Sequence, residues 1–186
     1  MTKMRYFLPM AHKILMLVYP DFELLDASGP SSVFRAANHA LFRMGRPPAY
    51  DIQMASATGG SVVSNSGVEV QTRALATFVT ENIHTLLIVG AEEGPITTAM
   101  RDLTLHRYVP QIARAATRFG SVCTGVFVLA ALNLLEKKRV TTHWDACAPL
   151  AKAFPKLTVD ADALYVVDGE VWTSAGVSTG IDMALA

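Results

Sequence analysis

One of the two cysteines in this 186-residue chain lies in a run of small residues, Ser121-Val-Cys123-Thr-Gly125. A small residue two positions before and two after a nucleophile is typical of a nucleophile elbow, a tight strand-to-helix turn where bulky neighbours would clash. Unpaired N–H groups at the start of a helix favour a thiolate and lower the pKa of a thiol. The spacing therefore predicts a reactive Cys123, and the alternative is a buried structural thiol. Cys147, between two alanines, is interpreted as a packing residue.

Two further residues follow predicted strands closely enough to reach that thiol. Asp26 comes after the first strand, and His143 comes after a short strand in VTTHW. Because the carboxyl ends of parallel strands meet at one edge of a sheet, either side chain can lie beside Cys123. The alternatives are structural, since Asp26 can cap the following turn and a lone histidine in a turn is commonly structural. Trp144 is predicted to belong to the core or to a pocket wall.

Composition limits the kinds of function. Lys and Arg total 16, Asp and Glu total 16, and 51% of residues are hydrophobic. This balance predicts one domain with a large core and without the basic surface that binds nucleic acid. The scattered histidines and two cysteines predict no metal, disulfide framework or cofactor. Lys3 and Arg5 precede apolar residues as in a leader, but Pro9 and Lys13 interrupt the run. We expect a cytoplasmic protein without membrane contact.

Apolar runs and their periodicity predict alternating strands and helices. Strands are expected at 13–19, 50–57, 85–89, 119–122, 139–142, 163–167 and 171–174, with a hairpin over 61–72. Helices are expected from Gly29-Pro30 onward and over 102–118, 124–135, 144–153 and 180–186. This order predicts an α/β fold with a mostly parallel sheet sandwiched by helices. The last helix has no capping residue, so we expect the natural protein to continue beyond Ala186.

Three separated blocks resemble the ThiJ/PfpI, class I glutamine-amidotransferase-like superfamily, and within it the N-terminal domain of AraC-type transcriptional regulators. The blocks are LLDASGPSSVFRAAN (24–38), SVCTGVFVLAALNLLEKKRVTTHW (121–144) and DGEVWTSAGVSTGIDMALA (168–186). The resemblance implies a flavodoxin-like, doubly wound sheet in a single domain over 1–186, without the helix-turn-helix module that binds DNA. It also implies that Asp26 is the acidic residue in contact with the thiol and that His143 lies nearby.

Departures from the enzymatic branches argue against acyl transfer. Thr124 follows the cysteine, where the peptidase branch has a histidine that acts as base, and SAGVSTG stands where amidotransferases carry a histidine–glutamate pair. Gly90-Ala91 replaces the Gly-Gly that shapes an oxyanion hole, and Glu92 and Glu93 follow it. Carboxylates at that place would oppose an oxyanion rather than stabilise it.

The sequence therefore predicts the ligand-sensing and dimerisation domain of an AraC-family regulator rather than an enzyme. The resemblance implies a homodimer that reaches DNA through the missing module, and we expect the domain to bind a small-molecule effector. The acidic rim favours a cationic or amine-bearing metabolite. The residues expected to bind it are Asp26, Gly90, Ala91, Glu92, Cys123, Thr124, His143 and Trp144.

Two alternatives remain open. The first is a cysteine-dependent enzyme, an isonitrile-hydratase-like hydro-lyase or a hydrolase, in which Cys123 attacks carbon, Asp26 handles the proton and His143 assists. The second is a redox sensor in which Cys123 oxidises to a sulfinate.

Overall fold

The central strands are apolar runs because both faces of the sheet are covered. A computed structural model describes residues 11–186, so residues 1–10 of the leader-like stretch considered above lie outside the described part. Strands β1 (His12–Leu17) and β5 (Thr85–Ile88) are parallel neighbours. Leu15 and Leu17 of β1 and Leu86 and Ile88 of β5 are fully buried. These side chains form the middle of the core.

In the part of the chain that the structure describes, eight strands form one mostly parallel sheet. Its order is β3 (Gly60–Val63), β4 (Glu69–Ala74), β2 (Tyr50–Ser56), β1, β5, β6 (Arg118–Val122), β10 (Val171–Ser174) and β9 (Tyr165–Asp168). The edge strands β3 and β9 run antiparallel to β4 and β10, whereas the other pairs are parallel. Strands β7 (Arg139–Val140) and β8 (Thr158–Val159) form a separate parallel pair.

Six α-helices accompany the sheet within residues 11–186. They are α1 (Leu24–Arg43), α2 (Glu93–Arg101), α3 (Leu103–Ala115), α4 (Val126–Ala131), α5 (Cys147–Ala153) and α6 (Thr179–Leu185). Helix α1 packs against α6, and α2 packs against α3 and α4. This architecture confirms the predicted α/β, flavodoxin-like class. None of these helices combines the length and apolar character needed to cross a membrane.

The boundaries of several elements differ from the expected ones. Helix α1 begins at Leu24 rather than at Gly29-Pro30, because the Glu23 side chain accepts the Leu25 N–H (3.2 Å) as its N-cap. Pro30 therefore lies inside the helix. Helix α2 occupies a segment for which no helix was predicted, and β8 was also not predicted. Helix α4 is shorter than expected at both ends, because the 3-10 turn Cys123–Gly125 precedes it and Asn133, with a φ of 56°, ends it.

Asn38 ties α1 to the start of β2. Its side chain donates to the Tyr50 carbonyl (2.7 Å) and accepts from the N–H groups of Ala49 (2.9 Å) and Tyr50 (3.0 Å). We expect Asn38→Ala to lower the free energy of unfolding by about 1–3 kcal/mol, because partly buried backbone groups lose their partners. Urea denaturation measures this loss. The exposed neighbour His39, changed to alanine, is the control, and equal stability of the two variants would contradict the assignment.

Candidate functional site

Cys123 occupies a strained turn between β6 and α4. Its φ is 57°, in the left-handed region that costs a residue with a side chain about 1–2 kcal/mol. The buried Thr142 hydroxyl donates to the Cys123 carbonyl (3.0 Å) and holds the peptide in this orientation. Cys123 is 8% exposed, so it is a buried residue that keeps a small contact with solvent.

Two glycines allow neighbouring loops to approach this turn. A Cβ on Gly90, which follows β5, would lie 2.7 Å from the Cys123 Cβ and 2.8 Å from the Thr124 nitrogen. A Cβ on Gly176, which follows β10, would lie 2.7 Å from the Cys123 sulfur. Gly176 also has a φ of 101°, which residues with side chains rarely adopt. The loops after β5, β6 and β10 therefore meet at the cysteine.

Asp26 lies beneath the same turn, in the first turn of α1 and fully buried. Its carboxyl accepts hydrogen bonds from the N–H groups of Val177 (2.8 Å) and Gly90 (3.1 Å). Burial raises the pKa of Asp26 to about 6, although these two N–H donors oppose the rise. The carboxyl therefore charges at a higher pH than an exposed aspartate does.

The thiol is a much weaker acid than the spacing predicts. Burial, and then the charge of Asp26, raise the pKa of Cys123 to about 12, despite a hydrogen bond from the Thr124 backbone. The expectation of a lowered thiol pKa is therefore wrong. The physical reason is that desolvation and the facing carboxylate outweigh the N–H donors at the start of a short helical turn. At neutral pH the sulfur is protonated.

Two backbone N–H groups near the thiol, those of Gly90 and Ala91, already have oxygen acceptors inside the protein, whereas the Thr124 N–H is directed at the sulfur. The Thr124 hydroxyl accepts the Ala91 N–H (2.9 Å) and donates to the Ala91 carbonyl (2.7 Å). The Gly90 N–H is bound to Asp26. An oxyanion hole needs donors aimed at the developing charge, and these two amides are directed elsewhere.

A cavity of about 680 Å³ opens above Cys123. Its lining residues are Glu23, Asn65, Ala91, Glu92, Glu93, Ile96, Thr97, Met100, Cys123, Thr124, Phe127, His143, Asp145, Ala146, Pro149, Ala153 and Val177. Four of these residues carry carboxylates, and none of the described lining residues is lysine or arginine. The cavity therefore has a negative potential, with apolar walls from α2 and α4. In residues 11–186, no three His, Cys, Asp or Glu side chains are grouped to hold a metal ion.

The structure brings most of the predicted residues together. Those that line the cavity are Ala91, Glu92, Cys123, Thr124 and His143, whereas Asp26 and Gly90 lie beneath it. The His143 Nδ1 is paired with the Asp145 carboxylate. Trp144 is 75% exposed and does not line the cavity, because the 3-10 turn Trp144–Ala146 directs it to solvent.

Sequence reasoning missed several residues that position the site. Glu23 caps α1, accepts the Asn65 side-chain amide (2.7 Å) and lines the cavity. Thr142 precedes the predicted His143, and the Gly176-Val177 pair lies inside the quoted SAGVSTG run. Their local signals are weak, since hydroxyl-bearing and small residues are common in loops of every kind.

We expect Asp26→Asn to lower the pKa of Cys123, because a nearby negative charge is removed while burial remains. Each unit by which a thiol pKa falls raises its thiolate fraction about tenfold below that pKa. The alkylation rate of Cys123, followed by mass spectrometry at a fixed alkaline pH, should therefore increase.

The exposed carboxylate Asp182, changed to asparagine, serves as the control and should leave the rate unchanged. An Asp26→Asn variant with the wild-type alkylation rate would show that the carboxyl does not act on the thiol.

Comparisons with known proteins find relatives among both regulators and enzymes. The chain is 32% identical over 172 residues to the HTH-type transcriptional regulator GlxA of Rhizobium meliloti (strain 1021), covering 92% of this chain and 50% of that protein. It is 31% identical over 180 residues to the isonitrile hydratase of Pseudomonas putida, covering 95% of this chain and 70% of the enzyme. The chain thus spans about half of the regulator's length.

A solved structure has the same architecture. The crystal structure of a ThiJ/PfpI family protein from Pseudomonas syringae superposes with a TM-score of 0.80 at 25% identity, covering 95% of this chain and 67% of that one. The sequence model of the DJ-1/PfpI family matches residues 12–186. The protein described here therefore belongs to the DJ-1/PfpI family.

Proposed function

We propose that this chain is the ligand-sensing and dimerisation domain of an AraC-family transcriptional regulator. A small cationic metabolite binds in the cavity beside Cys123, and DNA is reached through a separate helix-turn-helix module. The similarity to GlxA, half of whose length this chain covers, supports the assignment. The remaining half of a protein of that length has room for such a module.

The observation that supports the proposal is that two of the amides around the thiol are used inside the protein, while the Thr124 N–H is directed at the sulfur. Thr124 and Asp26 occupy the Ala91 and Gly90 N–H groups, so neither amide is available to a developing oxyanion. The thiol itself has a pKa of about 12 and is protonated at neutral pH, because of burial and the Asp26 charge. A site of this kind holds a ligand more readily than it converts one.

The charge of the cavity supports a cationic ligand. Glu23, Glu92, Glu93 and Asp145 line it, and Asp26 lies beneath it. A positive group there gains Coulomb energy in a partly desolvated site, and the Phe127 ring on the wall can take part in a cation–π contact.

Ligand binding also affects two peripheral elements. Glu23 caps α1 and holds Asn65, which lies in the turn between β3 and β4. A cation that binds Glu23 competes with the Asn65 amide for one carboxylate oxygen. In this proposal the β3–β4 hairpin at the sheet edge is therefore an element that responds to occupancy of the cavity.

A cation and its uncharged analogue give a direct test. We expect choline to raise the Tm of the protein more than its carbon analogue, in which carbon replaces the quaternary nitrogen. Exposed ion pairs contribute up to about 1 kcal/mol each, so the Glu92→Gln variant should weaken choline binding up to about fivefold. Thermal shift and calorimetry measure these changes.

Glu136→Gln is the matched control, because Glu136 lies outside the cavity and pairs with Lys156 (3.1 Å). Equal binding of choline and its neutral analogue, or stabilisation by anions such as acetate alone, would contradict the cationic ligand.

The second candidate is an isonitrile hydratase, favoured by the 31% identity to that enzyme and by the pairing of Cys123 with Asp26. In this mechanism the thiol adds to the isonitrile carbon as its proton moves through Asp26 to that carbon. Water then displaces the sulfur, which regains a proton, and the product is the N-substituted formamide. One water is consumed for each isonitrile, and no oxidant or reductant is needed.

Incubation with cyclohexyl isonitrile separates the two candidates. The regulator proposal predicts that the wild type and Cys123→Ala form the formamide equally slowly, at the rate of the buffer, as measured by chromatography. Formamide production that requires Cys123 would instead establish the enzyme.

A further inference from the structure

A row of aromatic and cationic side chains crosses the sheet at the end opposite to Cys123. We call Tyr50, His12, His84, Arg118 and Trp172 the basal row. The ring centroids of Tyr50 and His12 are 6.2 Å apart, and those of His12 and His84 are 4.1 Å apart. The Arg118 guanidinium lies 4.8 Å from the Trp172 ring. His84 directly precedes β5, and the other four residues lie in β2, β1, β6 and β10, so the five follow one another along one end of the sheet.

The backbone keeps the middle of the basal row together. The His84 carbonyl accepts the Arg118 N–H (3.0 Å), and the His84 N–H donates to the Lys13 carbonyl, next to His12 (3.0 Å). The His84 Nδ1 is hydrogen-bonded to the Thr85 hydroxyl (2.9 Å). This contact fixes the ring and leaves Nε2 for another partner.

Two carboxylates near the basal row, Glu81 and Glu170, are paired with other cations, and Asp51 of β2 accepts the Gln53 side-chain amide (2.9 Å). Glu81 pairs with Lys13 and with Arg73 (2.7 Å), and Glu170 pairs with Lys138 (3.3 Å). Among the described residues, Arg118 forms no ion pair. Within residues 11–186, this half-buried guanidinium, stacked on an aromatic ring, therefore has no carboxylate partner for its in-plane N–H donors.

We propose that Arg118, His84 and His12 form a binding site for an oxyanion, the phosphate or carboxylate group of a small molecule. A guanidinium binds such groups through two parallel hydrogen bonds, and the Trp172 ring holds its plane. The imidazoles supply the remaining donors when they are protonated. A metal cation is a poorer occupant, because Arg118 would repel it.

The charges around His84 favour an oxyanion at this place. Burial, and then the charges of His12 and Arg118, lower the pKa of His84. An oxyanion between these groups offsets the repulsion and raises that pKa. Binding is therefore tightest at low pH and weakens as the pH rises through the raised value. The carboxylates in the segments before β5 and β10, Glu81 and Glu170, stay paired with lysine and arginine, and Asp51 of β2 stays bonded to the Gln53 amide.

The site is separate from the Cys123 cavity. Arg118 begins β6 and Cys123 follows its end, so about 15 Å of extended chain lies between them. A ligand at the basal row can therefore bind whether or not a ligand occupies the cavity.

Proton–carbon NMR of the histidine rings tests the proposal. The pKa of His84, assigned with His84→Gln, is measured in sodium chloride and in inorganic phosphate of equal ionic strength, with acetate as a third arm. We expect phosphate or acetate to raise the His84 pKa by about one pH unit, the size expected for an opposite charge at contact distance. Arg118→Gln should abolish this rise.

Arg107→Gln is the matched control, because Arg107 also stacks on an aromatic ring, that of Tyr108 (5.2 Å). It should respond as the wild type does. A response to phosphate alone assigns a phosphate ligand, and a response to acetate alone assigns a carboxylate. No response to either anion, or an undiminished response in Arg118→Gln, overturns the site.

Discussion

The left-handed backbone of Cys123, with a φ of 57°, places its side chain where the loops after β5 and β10 also approach. Gly90 and Gly176 make this close approach possible, since a Cβ on either would collide with the cysteine. The Thr142 hydroxyl holds the strained peptide through the Cys123 carbonyl. Because three loops meet at this residue, the cavity above it collects side chains from α2, α4, α5 and the hairpin turn.

Burial of two acids in contact determines the charge of the site. The pKa of Asp26 rises to about 6 and that of Cys123 rises to about 12. In both cases desolvation by burial is the largest cause. At neutral pH the negative charge therefore resides on the carboxyl, and the sulfur keeps its proton. Together with the carboxylates that line the cavity, this arrangement attracts cations and disfavours a thiolate nucleophile.

Much of the fold follows from local patterns, because β1 and β5 are apolar runs that only a doubly covered sheet accommodates. The start of α1 does not follow from local patterns. Gly29-Pro30 resembles a helix start, but the helix begins earlier, at Leu24, where the Glu23 side chain caps it. The acidity of the thiol depends on desolvation, a tertiary property absent from the spacing of small residues. Glu23, Asn65 and Asp145 reach the cavity from segments far apart in the chain, and no local pattern joins them.

The central claim is that the buried Asp26 carboxyl lies against the Cys123 sulfur. A single titration tests this claim most directly. Carbon-detected NMR of the Asp26 side chain, assigned by comparison with Asp26→Asn, gives its pKa in the folded protein. The structure predicts a value of about 6, well above the ordinary 3.8. An Asp26 pKa at or below the ordinary value would mean that the carboxyl is solvated or turned away from the thiol, which would contradict the geometry of the site.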